Sequence, residues 1–411
     1  MVIYEHGSLR SKLARYRKRV FEIVLPNLDA RRAWNLVKLS RDRAQLRPLV
    51  TGRPHTIYME VSSICNLRCP GCLSFDKSYH AHMMPLENFK KILDHYAPWM
   101  VDLELYGWGE PFLNRDIFEM IRYAKGKRLF VRTSSNFNAF KEGDHEKIVQ
   151  SGLNQINASL DGTTQEVYEQ YRIGASLDKA LENLRKLIET RRRLGSARPL
   201  IEWQFIVSKV NYSQIKDVRK LAAETGVDIL RLDLPFSLTH INQTGSHDAE
   251  TRWLAEDPAF RQWEGSDQGD AAACERECSY LWSTLQVDAT GQVNPCPNRI
   301  GSKVQCGDAV SLPVLDLWNS AVFVEGRKMF AKNPVGPPEF DGPCRVCKEG
   351  LQAWKLKWPD QARVLEQREV ETKLVKLRGV IYDQGVFKDV STKLLVFTEH
   401  KDTLDYLVDK L

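Results

Sequence analysis

Apolar residues recur with two different periods along this chain. Between residues 56 and 235, short runs rich in β-branched and aromatic residues alternate with longer stretches in which apolar residues return every three or four positions. The first pattern predicts buried strands and the second predicts amphipathic helices. The predicted strands are 56–61, 101–106, 129–134, 155–160, 200–207 and 228–233, and the predicted helices are 86–97, 115–125, 144–151, 177–194 and 212–225. This alternation predicts six parallel βαβ units, which form an open barrel rather than a closed ring of eight.

The two ends of the chain and its middle show other patterns. Residues 8–48 have the apolar spacing of two helices, so we expect a basic helical extension over residues 1–53. Residues 236–276 are polar without a clear period, which predicts a loop over the mouth of the barrel. Residues 351–411 form a C-terminal extension to which we assign no function.

Composition narrows the class of protein. The chain has 411 residues, of which 43% are hydrophobic and 27% charged, as in globular proteins. No apolar run approaches the roughly 18 residues that a membrane helix needs. Nine cysteines are an odd number, which argues against a secreted disulfide framework. We therefore expect a cytoplasmic protein.

Positive charge is concentrated near the start of the chain. The net charge is +6, and residues 1–53 alone hold thirteen Lys or Arg against four acidic residues. Such a segment is compatible with contact at a membrane surface or a nucleic acid. The interpretation that we favour is a solvated face on helices that pack against the barrel, and nucleic-acid binding would rest on this charge alone.

Three cysteines carry the main chemical signal. Cys65, Cys69 and Cys72 have the spacing C-x3-C-x2-C directly after the predicted strand 56–61. Thiolates on one loop can face one point and bind soft metals or iron–sulfur clusters. A structural zinc site needs a fourth ligand, and none lies nearby in the sequence, although a zinc or disulfide loop stays an alternative. Three ligands on a four-iron cluster leave one iron open for a substrate or cofactor.

The cysteine spacing, its place after the first barrel strand and its flanking sequence resemble the radical S-adenosylmethionine (SAM) superfamily. The resemblance implies that the open iron binds SAM and that an electron from the cluster cleaves it. The resulting 5′-deoxyadenosyl radical removes a hydrogen atom from the substrate. The residue before the last cysteine is usually aromatic in this family and lies near the adenine. Here that residue is Gly71, and we expect Phe75 to take over its role.

Further motifs fall where predicted strands end, at the same rim as the cysteines. Gly107-Trp108-Gly109-Glu110-Pro111 resembles the G-G-E-P segment of the family, which binds the SAM amino group. Polar turns end the third and fourth strands, and the second turn resembles the family's ribose-binding pair. The resemblance implies the following SAM contacts: Gly109, Glu110, Pro111, Ser135, Asn136, Ser159 and Asp161.

A second cysteine group lies in residues 277–350. Predicted strands 285–289 and 292–293 form a hairpin with Thr290-Gly291 as its turn. The region resembles the SPASM and twitch domains of radical SAM enzymes, which implies one auxiliary four-iron cluster, and we expect it to face the barrel mouth. Zinc is the alternative occupant. The expected ligands are Cys278, Cys296, Cys344 and Cys347.

Two cysteines remain without a metal role. Cys306 is a candidate hydrogen-atom donor to a substrate radical, and Cys274 is the second choice. A small buried apolar residue is the alternative for each, because free cysteines are usually of that kind.

The predicted fold is therefore α/β, a partial (β/α)6 radical SAM barrel over residues 54–235 followed by the small auxiliary domain. The predicted function is hydrogen abstraction from a small hydroxylated substrate of sugar or aminocyclitol type, leading to epimerisation or dehydrogenation. A peptide maturase is the alternative, and a non-catalytic iron–sulfur electron-transfer protein is the alternative of another class. The expected partners are the substrate and an external electron donor of flavodoxin or ferredoxin type.

Overall fold

The structure is a computed structural model, and it describes residues 1–5, 9–70, 72–75, 79, 81–233, 278–296, 305–330 and 344. No helix in these ranges has the length and apolar composition needed to cross a bilayer. The strands are β1 (Val2–Glu5), β2 (Thr56–Met59), β3 (Asp102–Glu104), β4 (Phe130–Ser135), β5 (Gln155–Ser159), β6 (Leu200–Ile206), β7 (Ile229–Asp233), β8 (Thr284–Val287), β9 (Gln292–Asn294) and β10 (Gly307–Asp308). The helices are α1 (Leu9–Lys18), α2 (Ala30–Ala44), α3 (Leu86–Tyr96), α4 (Ile117–Gly126), α5 (Asp144–Gln150), α6 (Gln165–Tyr171), α7 (Leu177–Arg193), α8 (Ile215–Thr225), α9 (Val314–Trp318) and α10 (Ala321–Lys328).

All ten strands belong to one sheet with the order β1-β7-β6-β5-β4-β3-β2-β8-β9-β10. Neighbours from β1 to β8 run parallel, whereas β9 and β10 add two antiparallel pairings. Six of these strands, β2 to β7, are the predicted barrel strands. The prediction of an α/β fold with a partial parallel barrel is confirmed.

The two faces of the barrel strands have different chemistry, because successive side chains along a strand point to opposite sides. One face is apolar and fully buried, with Ile57, Leu103, Val131, Ile156, Ile201 and Leu230. These residues form one hydrophobic cluster with residues of the surrounding helices, such as Phe89 and Leu184. The next residue of each strand is polar and lines a cavity inside the barrel: Tyr58, Glu104, Arg132, Asn157, Glu202 and Arg231.

The auxiliary region joins the barrel through the predicted hairpin, which is confirmed as β8 and β9. Gly291 forms its turn with a φ of +94°, a conformation that favours glycine. Strand β8 runs parallel to β2, with Thr284 beside Thr56. Cys278 precedes the amino end of β8, and Cys296 follows the antiparallel strand β9. Both cysteines therefore lie toward the amino ends of the barrel strands, and the expectation that this domain faces the barrel mouth is wrong for its described part.

The N-terminal extension contains a strand that the sequence analysis missed. Strand β1 pairs in parallel with β7, with Val2 beside Ile229, and so covers the free edge of the last barrel strand. Four residues are too short a run to be recognised by alternation. The Nζ atom of Lys18, at the end of α1, donates to Oε1 of Gln155 on β5 over 2.6 Å. Part of the basic charge of the extension therefore contacts the barrel.

Residues 47–50, between α2 and β2, fasten the auxiliary region to the extension. The side-chain amide of Asn319 accepts from the backbone N–H of Val50 and donates to its carbonyl, over 3.0 and 2.9 Å. The indole of Trp282 donates to the carbonyl of Arg47 over 3.2 Å. The fully buried Arg327 donates to the carbonyls of Leu281 and Pro48 over 2.7 and 3.1 Å. The two regions are thus joined by bonds that only a folded auxiliary region can make.

Arg32 performs a similar function between α2 and the barrel helices. Its guanidinium is buried and donates to four backbone carbonyls, those of Asn27, Ala97, Lys127 and Arg128. The distances lie between 2.6 and 3.1 Å. The Arg32 side chain therefore donates hydrogen bonds to backbone carbonyls in three separate segments of the chain.

We expect Arg32→Ala to lower the free energy of unfolding by about 3–5 kcal/mol, because it leaves several buried carbonyls without a donor. Guanidinium chloride denaturation monitored by circular dichroism measures the change. The matched control is Arg41→Ala, on the exposed side of the same helix, which should stay within about 0.5 kcal/mol of the unmodified protein. Equal effects of the two substitutions would contradict a special role for Arg32.

Candidate active site at the carboxyl ends of the barrel strands

The cysteine loop, residues 62–75, follows β2 and lies at the carboxyl end of the sheet. The thiol of Cys65 accepts from the backbone N–H of Leu67 over 3.4 Å. The thiol of Cys72 contacts the hydroxyl of Ser74 at 3.1 Å and the carbonyl of Trp108 at 3.5 Å. Cys69 is almost completely buried. All three sulfurs thus lie inside a loop whose backbone and neighbours supply hydrogen bonds.

Glu60, the residue after β2, connects this loop to the next one. Its buried carboxylate accepts from the backbone N–H groups of Trp108 and Gly109 over 2.7 and 3.4 Å and from the hydroxyl of Tyr79. Burial raises the pKa of Glu60 to about 7. The sequence analysis did not select Glu60, although an acidic residue that ends an apolar strand run is a signal for such a role.

The glycines of the segment 107–111 are needed for close approach. A Cβ atom at Gly107 would lie 2.5 Å from Oε1 of Glu60, and one at Gly109 would lie 2.1 Å from the carbonyl oxygen of Ser62. Trp108 replaces a family glycine, and its backbone N–H donates to Glu60. The backbone of the segment 107–111 therefore packs directly against the cysteine loop.

Glu110 lies beneath the rim and is almost fully buried. Its carboxylate accepts from the backbone N–H groups of Phe112 and Asn136 over 3.3 and 2.9 Å. Burial raises the pKa of Glu110 to about 7. The side chain of Asn136 in turn donates to Oδ1 of Asn66 over 2.9 Å and contacts the Cys65 sulfur at 3.8 Å. Glu110 thus holds the turn after β4 against the cysteine loop, and its role toward the SAM amino group stays a prediction.

Asp161 and Arg172 form an ion pair next to the cysteine loop. The carboxylate of Asp161 accepts from the Arg172 guanidinium over 2.6 and 2.7 Å and from the backbone N–H of Ile206 over 2.8 Å. Arg172 also contacts the sulfur of Cys69 at 3.9 Å. Ser159, the other half of the predicted pair, contacts the hydroxyl of Ser134 at 3.0 Å. Arg172 was missed by the sequence analysis, because nothing in its local sequence separates it from a surface arginine.

The charge of Arg172 matters for the thiols. Burial raises the pKa of Cys69, and the neighbouring guanidinium opposes that shift. Burial raises the pKa of Cys65 to about 12. Thiols must lose their protons to bind a metal, so a cation beside Cys69 favours the bound form.

Two family models match the chain and together cover about half of it. The description of the first is the radical SAM superfamily, and it matches residues 59–197. The second is the SPASM model, an iron–sulfur cluster-binding domain, and it matches residues 278–348. The chain belongs to the radical SAM superfamily. It is therefore a radical SAM enzyme with a SPASM domain, and the non-catalytic alternative is set aside.

Curated relatives carry several different activities in their names. The mycofactocin maturase MftC of Mycolicibacterium smegmatis is 27% identical over 72% of this chain and 75% of its own length. An AdoMet-dependent heme synthase of Oleidesulfovibrio alaskensis is 22% identical over 74% of this chain and 82% of its own. A cofactor-modifying protein for the tungsten-containing aldehyde ferredoxin oxidoreductase of Pyrococcus furiosus is 27% identical, and this chain spans 53% of its length.

Solved structures agree on the fold. SuiB of Streptococcus suis bound to SAM superposes with a TM-score of 0.53 at 14% identity, covering 83% of this chain and 81% of that one. SuiB bound to its precursor peptide SuiA gives a TM-score of 0.52 at 13% identity, covering 77% and 78%.

The cofactors of this radical SAM enzyme are SAM and a four-iron cluster, together with auxiliary iron–sulfur clusters in the SPASM domain. Within the described ranges, no three His, Cys, Asp or Glu side chains surround one ion position. A four-iron cluster does not require such an arrangement, because each cysteine binds a different iron. The thiol of Cys65 interacts electrostatically with those of Cys69 and Cys72, and Cys69 contacts the Arg172 cation, so the donor chemistry of the loop fits a cluster.

The auxiliary ligands are only partly described. Cys278, Cys296 and Cys344 are half-buried, whereas Cys347 lies outside the described residues. The sulfur of Cys344 is 3.2 Å from the position that a Cβ at Gly326 would take, so α10 approaches it closely. The assignment of these four cysteines to one cluster stays a prediction.

Cys306 lies in the auxiliary sheet, away from the rim motifs. Its backbone N–H donates to the carbonyl of Val293 over 2.8 Å, at the start of β10, three strands beyond β2. Burial raises the pKa of its thiol to about 11. Its neighbour Arg327 belongs to the junction with the extension, and the donor role of Cys306 stays a prediction. Cys274 lies outside the described residues, and Phe75 ends a single helical turn that closes the cysteine loop.

Anaerobically reconstituted protein should hold about eight irons, from two four-iron clusters. Replacing Cys65, Cys69 and Cys72 together by Ala should leave about four, measured by iron analysis and electron paramagnetic resonance. Cys306→Ala is the control and should keep about eight. A content near four irons with stoichiometric zinc in the unmodified protein would contradict the auxiliary cluster.

Glu110→Ala and Asp161→Ala should each weaken SAM binding by about 10–100-fold, since each removes charged hydrogen bonds worth about 1.5–3 kcal/mol. Iron content should not change, because neither side chain is a cluster ligand. Equilibrium dialysis with labelled SAM measures the affinity. Glu119→Ala, an exposed carboxylate on α4, is the control, and an unchanged affinity in all three variants would show that the rim assignment is wrong.

Proposed function

We propose that this radical SAM enzyme modifies a peptide by removing a hydrogen atom from one of its C–H bonds. When bound, the cluster and SAM supply a 5′-deoxyadenosyl radical as the abstracting group. The observation that carries the proposal is the similarity to MftC, named as a maturase, which extends over 72% of this chain rather than over the barrel alone. SuiB, whose structure was solved with a precursor peptide, supports the fold comparison only.

The rim residues have distinct roles in this proposal. Cys65, Cys69 and Cys72 would hold the cluster to which SAM binds. Arg172 offsets the negative charge of the thiolates through its contact with Cys69, and Asp161 keeps Arg172 in place with two hydrogen bonds. The negative cluster environment is thus stabilised by a buried cation whose own partner fixes its orientation.

Two carboxylates position the rim rather than touch the substrate. Glu60 holds the segment 107–111 through its backbone, and Glu110 holds Asn136. Asn136 then reaches the Cys65 sulfur and the side chain of Asn66. The turns that we expect to contact SAM are therefore linked to the cluster loop by hydrogen bonds, which restricts the position of SAM relative to the cluster.

The cavity inside the barrel is lined by none of the rim residues named above. The cavity lined by alternate strand residues has a volume of about 420 Å³ and reaches Tyr106, the residue before the segment 107–111. The auxiliary cysteines Cys278 and Cys296 lie toward the opposite ends of the strands. The electron for SAM cleavage comes from outside the chain, and we propose a donor of flavodoxin or ferredoxin type.

A small hydroxylated substrate of sugar or aminocyclitol type is the second candidate. The polar lining of the cavity favours it, because side chains such as Tyr58 and Asn157 can hydrogen-bond hydroxyl groups. Epimerisation and dehydrogenation are then the expected outcomes, and Cys306 would be tested as the hydrogen donor. The relatives support a peptide substrate better than a small hydroxylated one.

Incubation of the reconstituted enzyme with SAM, dithionite and short peptides encoded beside its gene should change the mass of one peptide. The change should require SAM and should be absent with the variant that lacks Cys65, Cys69 and Cys72. Mass spectrometry of the peptide and quantification of 5′-deoxyadenosine give the two readouts. Turnover of an aminocyclitol or sugar in a parallel panel, with all peptides unchanged, would overturn the proposal in favour of the second candidate.

A further inference from the structure

Exposed apolar side chains are concentrated in the N-terminal extension, residues 1–53. Most of the large hydrophobic side chains that are exposed in the described part of the chain belong to it. Single exposed apolar side chains are ordinary on protein surfaces, whereas a contiguous group of them marks a contact surface. The extension therefore carries a contact surface if its exposed apolar side chains share one face of a helix.

Helix α1 and the helical segment Arg19–Val24 that continues it carry such a face. Leu13, Phe21 and Leu25 are 57%, 63% and 51% exposed. Together with the exposed Arg17 they are spaced four residues apart, so they lie in one row along the helix. We call these four residues the outer row.

The opposite side of the same helix faces the barrel and is mainly polar, although Ile23 is buried there. Lys18 donates to Gln155, the first residue of β5, over 2.6 Å, and Arg19 donates to the ring of His55 over 3.3 Å. A helix on the surface of a globular protein normally turns its apolar face to the core. Here the outer row faces solvent, and it points away from the SAM rim because the helix contacts the amino ends of the barrel strands.

Positive charge surrounds the outer row. Residues 10–19 hold six Lys or Arg and no Asp or Glu. Of these cations, Arg15 and Arg17 are exposed to solvent. The next acidic residue along the helix is Glu22, and it is paired with Arg198 over 3.2 Å. A partner that fits this surface is therefore apolar where it meets the row and negatively charged around it.

Two other occupants of this surface lack the complementary charge. A second copy of the helix would bring the same excess of positive charge. Residues 351–411 hold eleven Lys or Arg against ten Asp or Glu, so that segment is close to neutral. A bilayer that contains anionic lipids offers both parts, since its acyl chains accept apolar side chains and its phosphates attract arginines.

We propose that the outer row binds the surface of a membrane that contains anionic lipids. Leu13, Phe21 and Leu25 enter the boundary between headgroups and acyl chains, and Arg17 contacts lipid phosphates. The helix then lies parallel to the membrane surface. The bound enzyme keeps its SAM rim turned away from the bilayer, so the rim stays open to substrate and electron donor. The inference goes beyond the proposed function and does not depend on it.

The test uses the reconstituted holoenzyme and measures its co-sedimentation with vesicles of phosphatidylcholine alone or of an equal mixture with phosphatidylglycerol. We expect binding to the mixed vesicles to be at least about 10-fold tighter. Phe21→Ser should weaken that binding by about 10-fold because it removes apolar area from the contact, and Arg17→Gln should weaken it by about 5-fold. Leu194→Ser and Arg192→Gln remove an exposed apolar side chain and an exposed charge at the end of α7, and both should leave binding unchanged.

The absence of binding to the mixed vesicles, equal binding to both kinds of vesicle, or equal losses in the outer-row variants and the α7 controls would overturn the inference. A dimer in analytical ultracentrifugation that Phe21→Ser dissociates, without vesicle binding, would assign the outer row to a second copy instead. Cleavage of SAM by Phe21→Ser with dithionite should match that of the unmodified enzyme. If it falls, Phe21 contributes to the fold, and Leu13→Ser then replaces it in the same measurement with the same expected loss.

Discussion

Backbone N–H groups at the carboxyl ends of parallel strands need acceptors once the chain leaves the sheet, and this requirement shapes the rim. Buried N–H groups are rarely left without a partner. Here three carboxylates meet the need: Glu60 and Glu110 accept from backbone donors of neighbouring turns, and Asp161 accepts from the last residue of β6. Each carboxylate joins two segments that are far apart in sequence. The position of the cysteine loop depends on these bonds.

The burial of these carboxylates has an electrostatic consequence. Burial of Glu60 and Glu110 raises the pKa of each to about 7, so both carry their proton more readily than an exposed carboxyl does. Asp161 forms a buried ion pair with Arg172. The rim therefore combines two carboxyl groups whose ionisation is disfavoured with one buried ion pair. The cation of that pair, Arg172, is the group that contacts the sulfur of Cys69.

The sequence predicted those features whose geometry is local. The spacing of Cys65, Cys69 and Cys72 is a property of one short loop. The barrel strands are recognisable in the sequence as short apolar runs that alternate with helical patterns. Arg172 is distant in sequence from Cys69, and their contact exists only after α6 has packed. The orientation of the auxiliary region was mispredicted for a similar reason. Its hairpin does not follow β7 in the sheet, because β1 occupies the free edge of β7 and leaves the edge of β2 for β8.

The two edge pairings of the barrel also bear on its synthesis. Strand β1 pairs with β7, and β2 pairs with β8, so that in both cases the partner is made roughly 230 residues later. At ordinary ribosomal rates of about 5–20 residues per second, the first strand of each pair waits on the order of 10–50 s. During that time two strand edges have unpaired backbone groups, and such edges are sites of aggregation. Production of this protein should therefore depend on chaperones that hold the nascent chain more than on the stability of the finished barrel.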